Sequence, residues 1–506
     1  MAATPALAQP GTDAALVKTE GGAIRGLVTD RVVSWKAIPY AAPPVGPLRW
    51  RNPQPVVGWS GVKDGSKFGP ACLQADPVPK SEDCLTLNVW RPTATTDKPL
   101  PVMVWIHGGA MVHGGAPIYP ADALAAQGIV VVTINFRLGR LGHFAHPALA
   151  QEAPGEPRGN YGYMDQRAAL QWVQRNIAAF GGDAGQVTIF GESAGGGSVL
   201  AHMVSPLSRG LFHRAILQSP GTPGARAQVI PSTDLSQAEK MASDWAGTVG
   251  AKGGNATVLA RLRALPVETL LAGASGPQAV AALSQGRTPP GMAMAIVDGQ
   301  FLTERPEAAL KAGHQAMVPV IIGANDRDLP VGVASSKKQL FELFGSDAEA
   351  ARKLYDPRGD QSLDELKQQV FADRAMVEPA RHFANEMARA GQPVWLYRFA
   401  YVSQAQRAKN MGTLHGFEIP FTLDIPGALV GDKVTATDKA MGDLASAYWA
   451  AFGLTGDPNG DSRPQWPRHD PATDRLLHFT NPGVIVGTDP LKARLDLWQR
   501  IQDRAQ

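Results

Sequence analysis

The chain alternates short, almost wholly apolar runs with longer segments in which apolar residues recur at helical spacing. The clearest apolar runs are PVMVWI (101–106), GIVVVTIN (128–135), VTIF (187–190) and VPVIIG (318–323). Runs of this length, rich in β-branched residues, are typical of strands buried in a parallel sheet. The first 220 residues therefore predict an α/β fold, in which helices cover both faces of a doubly wound, mostly parallel sheet.

Two later segments, residues 221–316 and 335–390, interrupt this alternation. Their helical spacing predicts helical excursions over the edge of the sheet. Excursions of this kind can form walls of a substrate pocket. A strand is expected again at residues 394–399, and a final helix near residues 443–452 before a polar tail.

The amino-terminal part has a different pattern. Residues 17–40 contain short apolar runs separated by glycines, which predict an antiparallel meander. A strand is also expected over residues 81–90, beginning around the second cysteine. Because no linker or internal repeat divides the chain, we expect one domain over residues 17–506, preceded by a flexible terminus of residues 1–16.

The composition restricts the class of protein. The 506 residues are 44% hydrophobic and 18% charged, which is typical of a globular protein with a large core. The net charge of +3 is small and no long basic run occurs, so the sequence predicts no nucleic-acid partner. It also predicts no membrane span, because no apolar run approaches the roughly 20 residues that a span requires.

Two features bear on the compartment in which the protein works. Ala6-Leu7-Ala8 resembles the end of a signal peptide, although an ordinary frayed terminus fits equally well. Cys72 and Cys84 are the only cysteines, and the residues between them are too many for a zinc knuckle. They could form a disulfide, bind a metal with other ligands, or stay reduced. A disulfide and a removed leader would together predict a secreted or periplasmic protein.

Candidate chemistry begins with GESAG (191–195), directly after the apolar run at residues 187–190. The pattern G-x-S-x-G between a strand and a helix is typical of a nucleophile elbow, which lifts a serine hydroxyl above the edge of a sheet. Alone it is weak, because a glycine-rich turn with an inert serine has the same sequence. The small residues 194–198 favour the elbow, since they let the next helix pack close to the sheet.

A second glycine-rich segment ends another apolar run. His107-Gly108-Gly109-Ala110 follows the strand predicted at residues 101–106. Because this segment has few bulky side chains, its backbone N–H groups can approach a ligand and stabilise an oxyanion. A plain glycine turn is the alternative, which the serine elbow downstream disfavours.

Several segments together resemble a known family. They are EDCLTLNVW (82–90), NYGYMDQRAAL (160–170), FGGDAGQVTIFGESAG (180–195), HGFEIPF (415–421), and GDPN (456–459) followed by WP (466–467). In this order they resemble the type-B carboxylesterases, a group of α/β-hydrolases that includes the cholinesterases. The resemblance implies the α/β-hydrolase fold and hydrolysis of small-molecule carboxylic esters through an acyl-enzyme, without a metal or cofactor.

The resemblance also implies roles for individual residues. Ser193 corresponds to the nucleophile and His415 to the general base, a choice that spacing alone does not make among eleven histidines. The resemblance further implies a Cys72–Cys84 disulfide. The oxyanion hole that it implies consists of the backbone N–H groups of Gly109, Ala110 and Ala194.

The acid of the triad is where this chain departs from the family pattern. The family usually has Glu in a loop that ends Asp-Glu-Gly, whereas the loop here reads GANDRDL (323–329). Counting along this loop puts Asp328 at the acid position, with Asp326 as the alternative. Aspartate is one methylene shorter, so the loop must lie closer to His415. Glu192 and Ser219 are further candidates, the first for shaping the field at the serine and the second for supporting the triad, although both could be passive.

Two other functions would use the same fold differently. An amide or carbamate hydrolase would employ the same serine and histidine. A non-catalytic adhesion or binding protein would be expected to lose one of them, yet Ser193 and His415 are both present. The sequence leaves the natural ester and the oligomeric state open.

Overall fold

A central sheet of eleven strands organises the molecule. The computed structural model describes residues 15–94, 96–220 and 232–504. In chain order the strands of this sheet are β1 (Leu27–Val28), β2 (Val32–Pro39), β3 (Thr86–Pro92), β4 (Leu100–Ile106), β5 (Val130–Ile134), β6 (Gly182–Glu192), β7 (Arg214–Gln218), β8 (Val320–Asn325), β9 (Val394–Phe399), β10 (Arg475–Thr480) and β11 (Gly483–Thr488).

Their order across the sheet is β11-β10-β9-β8-β7-β6-β4-β5-β3-β2-β1. The strands from β10 to β5 in this order run parallel, and those beyond them on either side are antiparallel. The predicted α/β fold with a mostly parallel sheet is therefore confirmed.

The central strands are buried on both faces. Along β4, Val102 and Val104 belong to one hydrophobic cluster, whereas Met103 and Trp105 belong to another. All four side chains are fully buried. Because successive side chains of a strand point to opposite faces, the two clusters lie on opposite sides of the sheet. A wholly apolar run is what a strand between two such layers requires.

Helices form the outer layers and the excursions. Those of eight residues or more are α1 (Tyr161–Asn176), α2 (Ala194–Val204), α3 (Leu235–Thr248), α4 (Asn255–Arg263), α5 (Gly276–Leu283), α6 (Ala348–Tyr355), α7 (Leu363–Ala372), α8 (Glu378–Arg389), α9 (Ala436–Thr455) and α10 (Lys492–Arg504). Shorter helices are Asp122–Ala125, Gly139–Gly142, Ala148–Glu152, Val267–Leu271, Pro306–Ala312, Lys337–Glu342, Ile419–Thr422 and Gly427–Val430. A π-helical turn, Asp373–Val377, joins α7 to α8.

Small sheets complete the structure. Leu16–Thr19, Gly22–Arg25 and Val62–Asp64 form a three-stranded sheet, and Ala71–Cys72 pairs with Lys80–Ser81. Thr233–Asp234 pairs with Ile296–Val297. The antiparallel pairs expected over residues 17–40 are present, but they are divided between the three-stranded sheet and the edge of the central sheet.

Both excursions expected from the sequence contain helices. The described part of the first, residues 232–316, includes α3, α4 and α5, and the second includes α6, α7 and α8. Residues 221–231 of the first excursion lie outside the described residues. The same is true of residues 1–14, which hold Ala6-Leu7-Ala8 and most of the terminus expected to be flexible.

Two sequence predictions differ from the structure. The strand expected over residues 81–90 begins only at Thr86, because Lys80–Ser81 pairs with the strand at the first cysteine instead. The helix expected near residues 443–452 is longer, and β10, β11 and α10 follow it where a polar tail was expected. β11 escaped prediction because it lies at the sheet edge and none of its side chains is fully buried.

Cys72 and Cys84 are joined by a disulfide, and both residues are buried. The bond closes residues 72–84 into a loop, which we call the disulfide segment. Within the described ranges, no helix combines the length and the apolar character that crossing a membrane requires.

Candidate active site

The candidate site lies at the carboxyl ends of the parallel strands. β6 ends at Glu192 and α2 begins at Ala194, so Ser193 occupies the turn between them. Its backbone has φ 57° and ψ −124°, a region that residues with side chains rarely occupy. Ser193 N–H donates to Gln218 O at 2.9 Å. This strained turn is the geometry that G-x-S-x-G predicts.

The two glycines of the elbow are required by close backbone packing. A Cβ added to Gly195 would lie 2.0 Å from Ile106 O, and one added to Gly191 would lie 2.5 Å from the same oxygen. Backbone atoms in a sheet cannot move aside as a flexible side chain can. The elbow is therefore fastened to the end of β4, from which the glycine-rich segment continues.

Three side chains from three separate loops form a continuous chain of hydrogen bonds. Ser193 Oγ lies 2.8 Å from His415 Nε2, and His415 Nδ1 lies 2.5 Å from Asp328 Oδ1. Asp328 is fully buried, whereas Ser193 and His415 are partly accessible. A serine, a histidine and a buried carboxylate in this arrangement have the geometry of a catalytic triad.

The carboxylate of Asp328 is surrounded by donors. Its Oδ2 accepts hydrogen bonds from Ser219 Oγ at 2.6 Å and from Asn325 N–H at 2.9 Å. Its Oδ1, which faces His415, also accepts from Leu329 N–H at 2.8 Å. Burial alone would raise the pKa of Asp328, but the positive charge of His415 and these hydrogen bonds lower it below its usual range. The carboxylate is therefore held in its ionised form.

Asp326, the alternative acid, points elsewhere. Its Oδ1 accepts a hydrogen bond from Thr413 N–H at 2.7 Å, and Arg327 N–H donates to Thr413 O at 3.2 Å. An isolated β-bridge joins the same two segments. Burial raises the pKa of Asp326 to about 6. The segment that precedes Asp328 is thus paired with the segment that precedes His415, and Asp326 fastens this pairing.

Glu192 does not face water. Its side chain is buried, and its Oε1 lies 3.3 Å from His415 Nε2. Burial raises the pKa of Glu192 to about 8. For His415, burial disfavours the cation, but the negative charges of Glu192 and Asp328 outweigh this effect and raise the pKa to about 10. The two carboxylates therefore stabilise the imidazolium that forms when His415 accepts a proton.

The glycine-rich segment after β4 lies against the elbow. A Cβ added to Gly108 would lie 3.1 Å from Ser193 Cβ. Gly109 and Ala110, which follow, have φ values of 107° and 50°. Among the described residues, no acceptor is bonded to the N–H groups of Gly109, Ala110 or Ala194. These donors are thus available to bind an anion beside the serine.

The sequence analysis assigned no role to several buried polar residues that lie behind the triad. Glu418 Oε2 accepts a hydrogen bond from Asn325 Nδ2 at 2.5 Å, and its Oε1 accepts one from Gln218 Nε2 at 3.2 Å. Trp449 Nε1 donates to Gln218 Oε1 at 3.0 Å. Two signals pointed to them: Glu418 lies within HGFEIPF (415–421), and Asn325 and Gln218 are the last residues of β8 and β7.

Both excursions contact the loops of the site. Gln368 of α7 donates through Nε2 to Arg327 O at 2.9 Å and to Asp328 O at 2.8 Å. In the other excursion, a Cβ added to Gly276, the first residue of α5, would lie 2.9 Å from the ring of His113. The excursions therefore contact the loop that carries Asp328 and the segment that carries His113.

The sequence also matches known proteins over nearly its whole length. The profile described as "Carboxylesterase family" matches residues 13–498. The chain belongs to the carboxylesterase family. Relatives include the fumonisin B1 esterase of Sphingopyxis macrogoltabida, which is 35% identical over 97% of this chain and 92% of that protein. The cocaine esterase of Oryctolagus cuniculus is 34% identical over 96% of each chain. The pyrethroid hydrolase Ces2a of Mus musculus is 34% identical over 93% of this chain and 88% of that protein.

This carboxylesterase has the α/β-hydrolase fold and is a carboxylic-ester hydrolase, as the motifs predicted. Its substrates are small-molecule esters.

Proposed function

We propose that this carboxylesterase uses Ser193 as the nucleophile, His415 as the general base and Asp328 as the acid that orients the histidine. The unbroken hydrogen-bond chain carries the proposal, with 2.8 Å from Ser193 Oγ to His415 Nε2 and 2.5 Å from His415 Nδ1 to Asp328 Oδ1. Glu192 stabilises the histidine cation, and Ser219 holds the carboxylate of the acid.

The reaction consists of two acyl transfers. Ser193 Oγ attacks the carbonyl carbon of the ester while His415 Nε2 takes the hydroxyl proton. The carbonyl oxygen becomes an oxyanion, which accepts hydrogen bonds from the N–H groups of Gly109, Ala110 and Ala194. When the carbon–oxygen bond to the alcohol breaks, the imidazolium gives its proton to the departing oxygen. Water then attacks the acyl-enzyme by the same route, releasing the carboxylic acid and restoring Ser193.

The negative charges around the histidine suit this cycle. His415 becomes a cation each time it takes a proton, and that cation lies 2.5 Å from Asp328 Oδ1 and 3.3 Å from Glu192 Oε1. Opposite charges at such distances favour the charged form of the imidazole. They lower the energy of the tetrahedral state, in which the cation exists, relative to the resting state.

The test compares the wild-type protein with Ser193→Ala on p-nitrophenyl esters of short and long acyl chains, together with matched anilides and carbamates. We expect the wild type to prefer esters and the variant to lose about 10⁶-fold in kcat, as nucleophile removal does in serine hydrolases. Full activity of Ser193→Ala would contradict the proposal. A higher kcat/KM on an anilide or carbamate than on every ester would favour that alternative substrate class.

The relatives named for fumonisin B1, cocaine and pyrethroids supply three chemically different compounds for a substrate panel.

We also infer that the protein works in an oxidising compartment, secreted or periplasmic, since disulfides persist there. Fractionation of the producing cells tests this. We further infer one catalytic domain over residues 17–506, because a single hydrophobic cluster includes residues from Ala15 to Leu495.

A further inference from the structure

The disulfide segment contacts the loop after β4 through one buried amide. Gln74 is 2% exposed. Gly114 N–H donates to Gln74 Oε1 at 3.0 Å, and Gln74 Nε2 donates to Gly114 O at 2.7 Å. The same Nε2 also donates to Cys72 O at 3.1 Å. One side chain therefore engages both backbone polar groups of Gly114 and connects them to the backbone at the disulfide.

The loop that Gln74 holds is strained. We call residues 107–114 the oxyanion loop, since it contains two of the three proposed oxyanion donors. Four of its residues have positive φ: Gly109, Ala110, Met111 and Gly114. Ala110 and Met111 carry side chains, and left-handed backbone persists at such residues only where the surroundings impose it. The conformation of this loop therefore depends on contacts from outside it.

The oxyanion loop is also closed on itself. His113 N–H and Val112 N–H both donate to Gly109 O, at 3.1 and 2.9 Å. A Cβ added to Gly114 would lie 2.6 Å from His107 Nδ1, so the end of the loop packs on its beginning. A displacement at Gly114 is therefore transmitted to the residues that bear the proposed donors.

A cavity lies beside this contact. Its volume is about 540 Å³, and its lining includes Val78 and Pro79 of the disulfide segment together with His113 and Gly114 of the oxyanion loop. Gly139 N–H holds the middle of the oxyanion loop, donating to Met111 O at 2.7 Å. At the end of the loop, the buried hydrogen bonds of Gln74 connect it to the disulfide segment, beside a partly exposed pair in which His113 Nδ1 lies 3.4 Å from Asp76 Oδ2.

We propose that Gln74 is a positioning residue for the oxyanion hole. By fixing Gly114 it holds the N–H groups of Gly109 and Ala110 where the oxyanion forms. This inference rests on the proposed function of those two groups. Because the oxyanion exists only in the tetrahedral state, loss of Gln74 should lower kcat rather than raise KM. We expect a fall of about 10- to 100-fold, the effect of a small misplacement of reacting groups.

Two substitutions separate the contributions of the amide. Gln74→Leu removes both bonds to Gly114, and Gln74→Glu keeps an acceptor for Gly114 N–H but loses the donor to Gly114 O. Gln392→Leu is the matched control, because Gln392 is 4% exposed and its Nε2 donates to Ala316 O and Val318 O. Gln392 lies just before β9, at the amino ends of the parallel strands, whereas the triad lies at their carboxyl ends.

Three quantities are measured for each variant: kcat and KM on p-nitrophenyl butyrate, the inhibition constant of an alkyl trifluoromethyl ketone, and Tm. The ketone forms a tetrahedral adduct with the serine and so places an oxyanion in the hole. For Gln74→Leu we expect kcat to fall and the inhibition constant to rise by the same factor, with KM little changed. Gln74→Glu should show the same pattern to a smaller extent. Gln392→Leu should lower Tm alone.

A wild-type kcat and inhibition constant in Gln74→Leu would overturn the inference. So would equal changes in Gln392→Leu, which would indicate general loosening. If Gln74→Leu does not fold, Gln74→Glu decides, and a wild-type kcat there refutes the positioning role. Failure of the proposed function looks different: Ser193→Ala would remain active, or the wild type would not bind the ketone.

Discussion

Replacing Asp328 by asparagine should nearly abolish turnover while leaving the protein folded. The carboxylate has donors on every side: His415 and Leu329 N–H at Oδ1, and Ser219 and Asn325 N–H at Oδ2. An asparagine amide offers an accepting oxygen on one side and a donating NH2 group on the other. In either orientation, two of these donors must therefore face another donor.

Each orientation disables a different part of the site. With NH2 toward His415, the imidazole must accept at Nδ1 and carry its proton on Nε2, where it can no longer take the proton of Ser193. With NH2 toward Ser219, the tautomer is kept but the histidine cation loses the charge 2.5 Å away. Turnover should fall about 10⁴-fold, or about 5.5 kcal/mol of activation free energy. One buried backbone N–H also loses its acceptor, which costs about 1–3 kcal/mol of folding free energy.

The assay is kcat/KM on p-nitrophenyl butyrate, with urea unfolding to establish that each variant is folded. Asp326→Asn is the control, because an amide oxygen can still accept from Thr413 N–H and should leave turnover largely intact. Removal of a triad acid costs orders of magnitude in turnover. A fall in kcat/KM of less than about tenfold in Asp328→Asn would therefore refute the reasoning. Equal losses in both variants would refute it too.

Three further predictions concern charge and the disulfide. Glu192→Gln removes one of the negative charges that raise the pKa of His415, so kcat/KM should reach half its maximum at lower pH than in the wild type; an unchanged pH profile would contradict this. Replacing Cys72 and Cys84 together by serine should lower the free energy of unfolding in urea by about 3 kcal/mol, since the bond closes a short loop, and an unchanged midpoint would contradict it. Folding raises the pKa of Asp326 from 3.8 to about 6, so the folded protein binds the proton more tightly than the unfolded chain does. This difference contributes to the free energy of unfolding below about pH 4, and the contribution is lost as the pH rises through 6. Relative to Asp326→Asn, the wild type should therefore lose about 3 kcal/mol of unfolding free energy over this range, and parallel stability–pH curves for the two proteins would contradict the prediction.

The sequence was most informative where chemistry and backbone geometry coincide. The elbow could be predicted because its two glycines and its serine lie within five consecutive residues. The structure explains this spacing, since a side chain at either glycine would collide with the backbone oxygen of Ile106. The family pattern pointed to His415, and counting along the loop favoured Asp328 over Asp326, although His415 and Asp328 lie 87 residues apart. Their roles, like that of Ser193, remain predictions for the variants above to test.

What the sequence missed depends on contacts between distant segments. Gln74 acts on a residue 40 positions away, and nothing in the local pattern distinguishes it from a surface glutamine. Glu418 and Asn325 are 93 positions apart, so neither could be recognised as half of a buried pair. The β11 strand is half-exposed throughout and therefore lacks the apolar run by which the central strands were found.

The segments before Asp328 and His415 are paired with each other, so these two residues are linked more directly to each other than to Ser193. The β-bridge between Arg327 and Leu414 and the bond from Thr413 to Asp326 link these two loops, whereas Ser193 belongs to the turn between β6 and α2. A local opening would therefore separate the serine from an acid–base pair that stays together. On gentle warming, reaction with a serine-directed fluorophosphonate should slow before the downfield proton signal of the His415–Asp328 hydrogen bond changes.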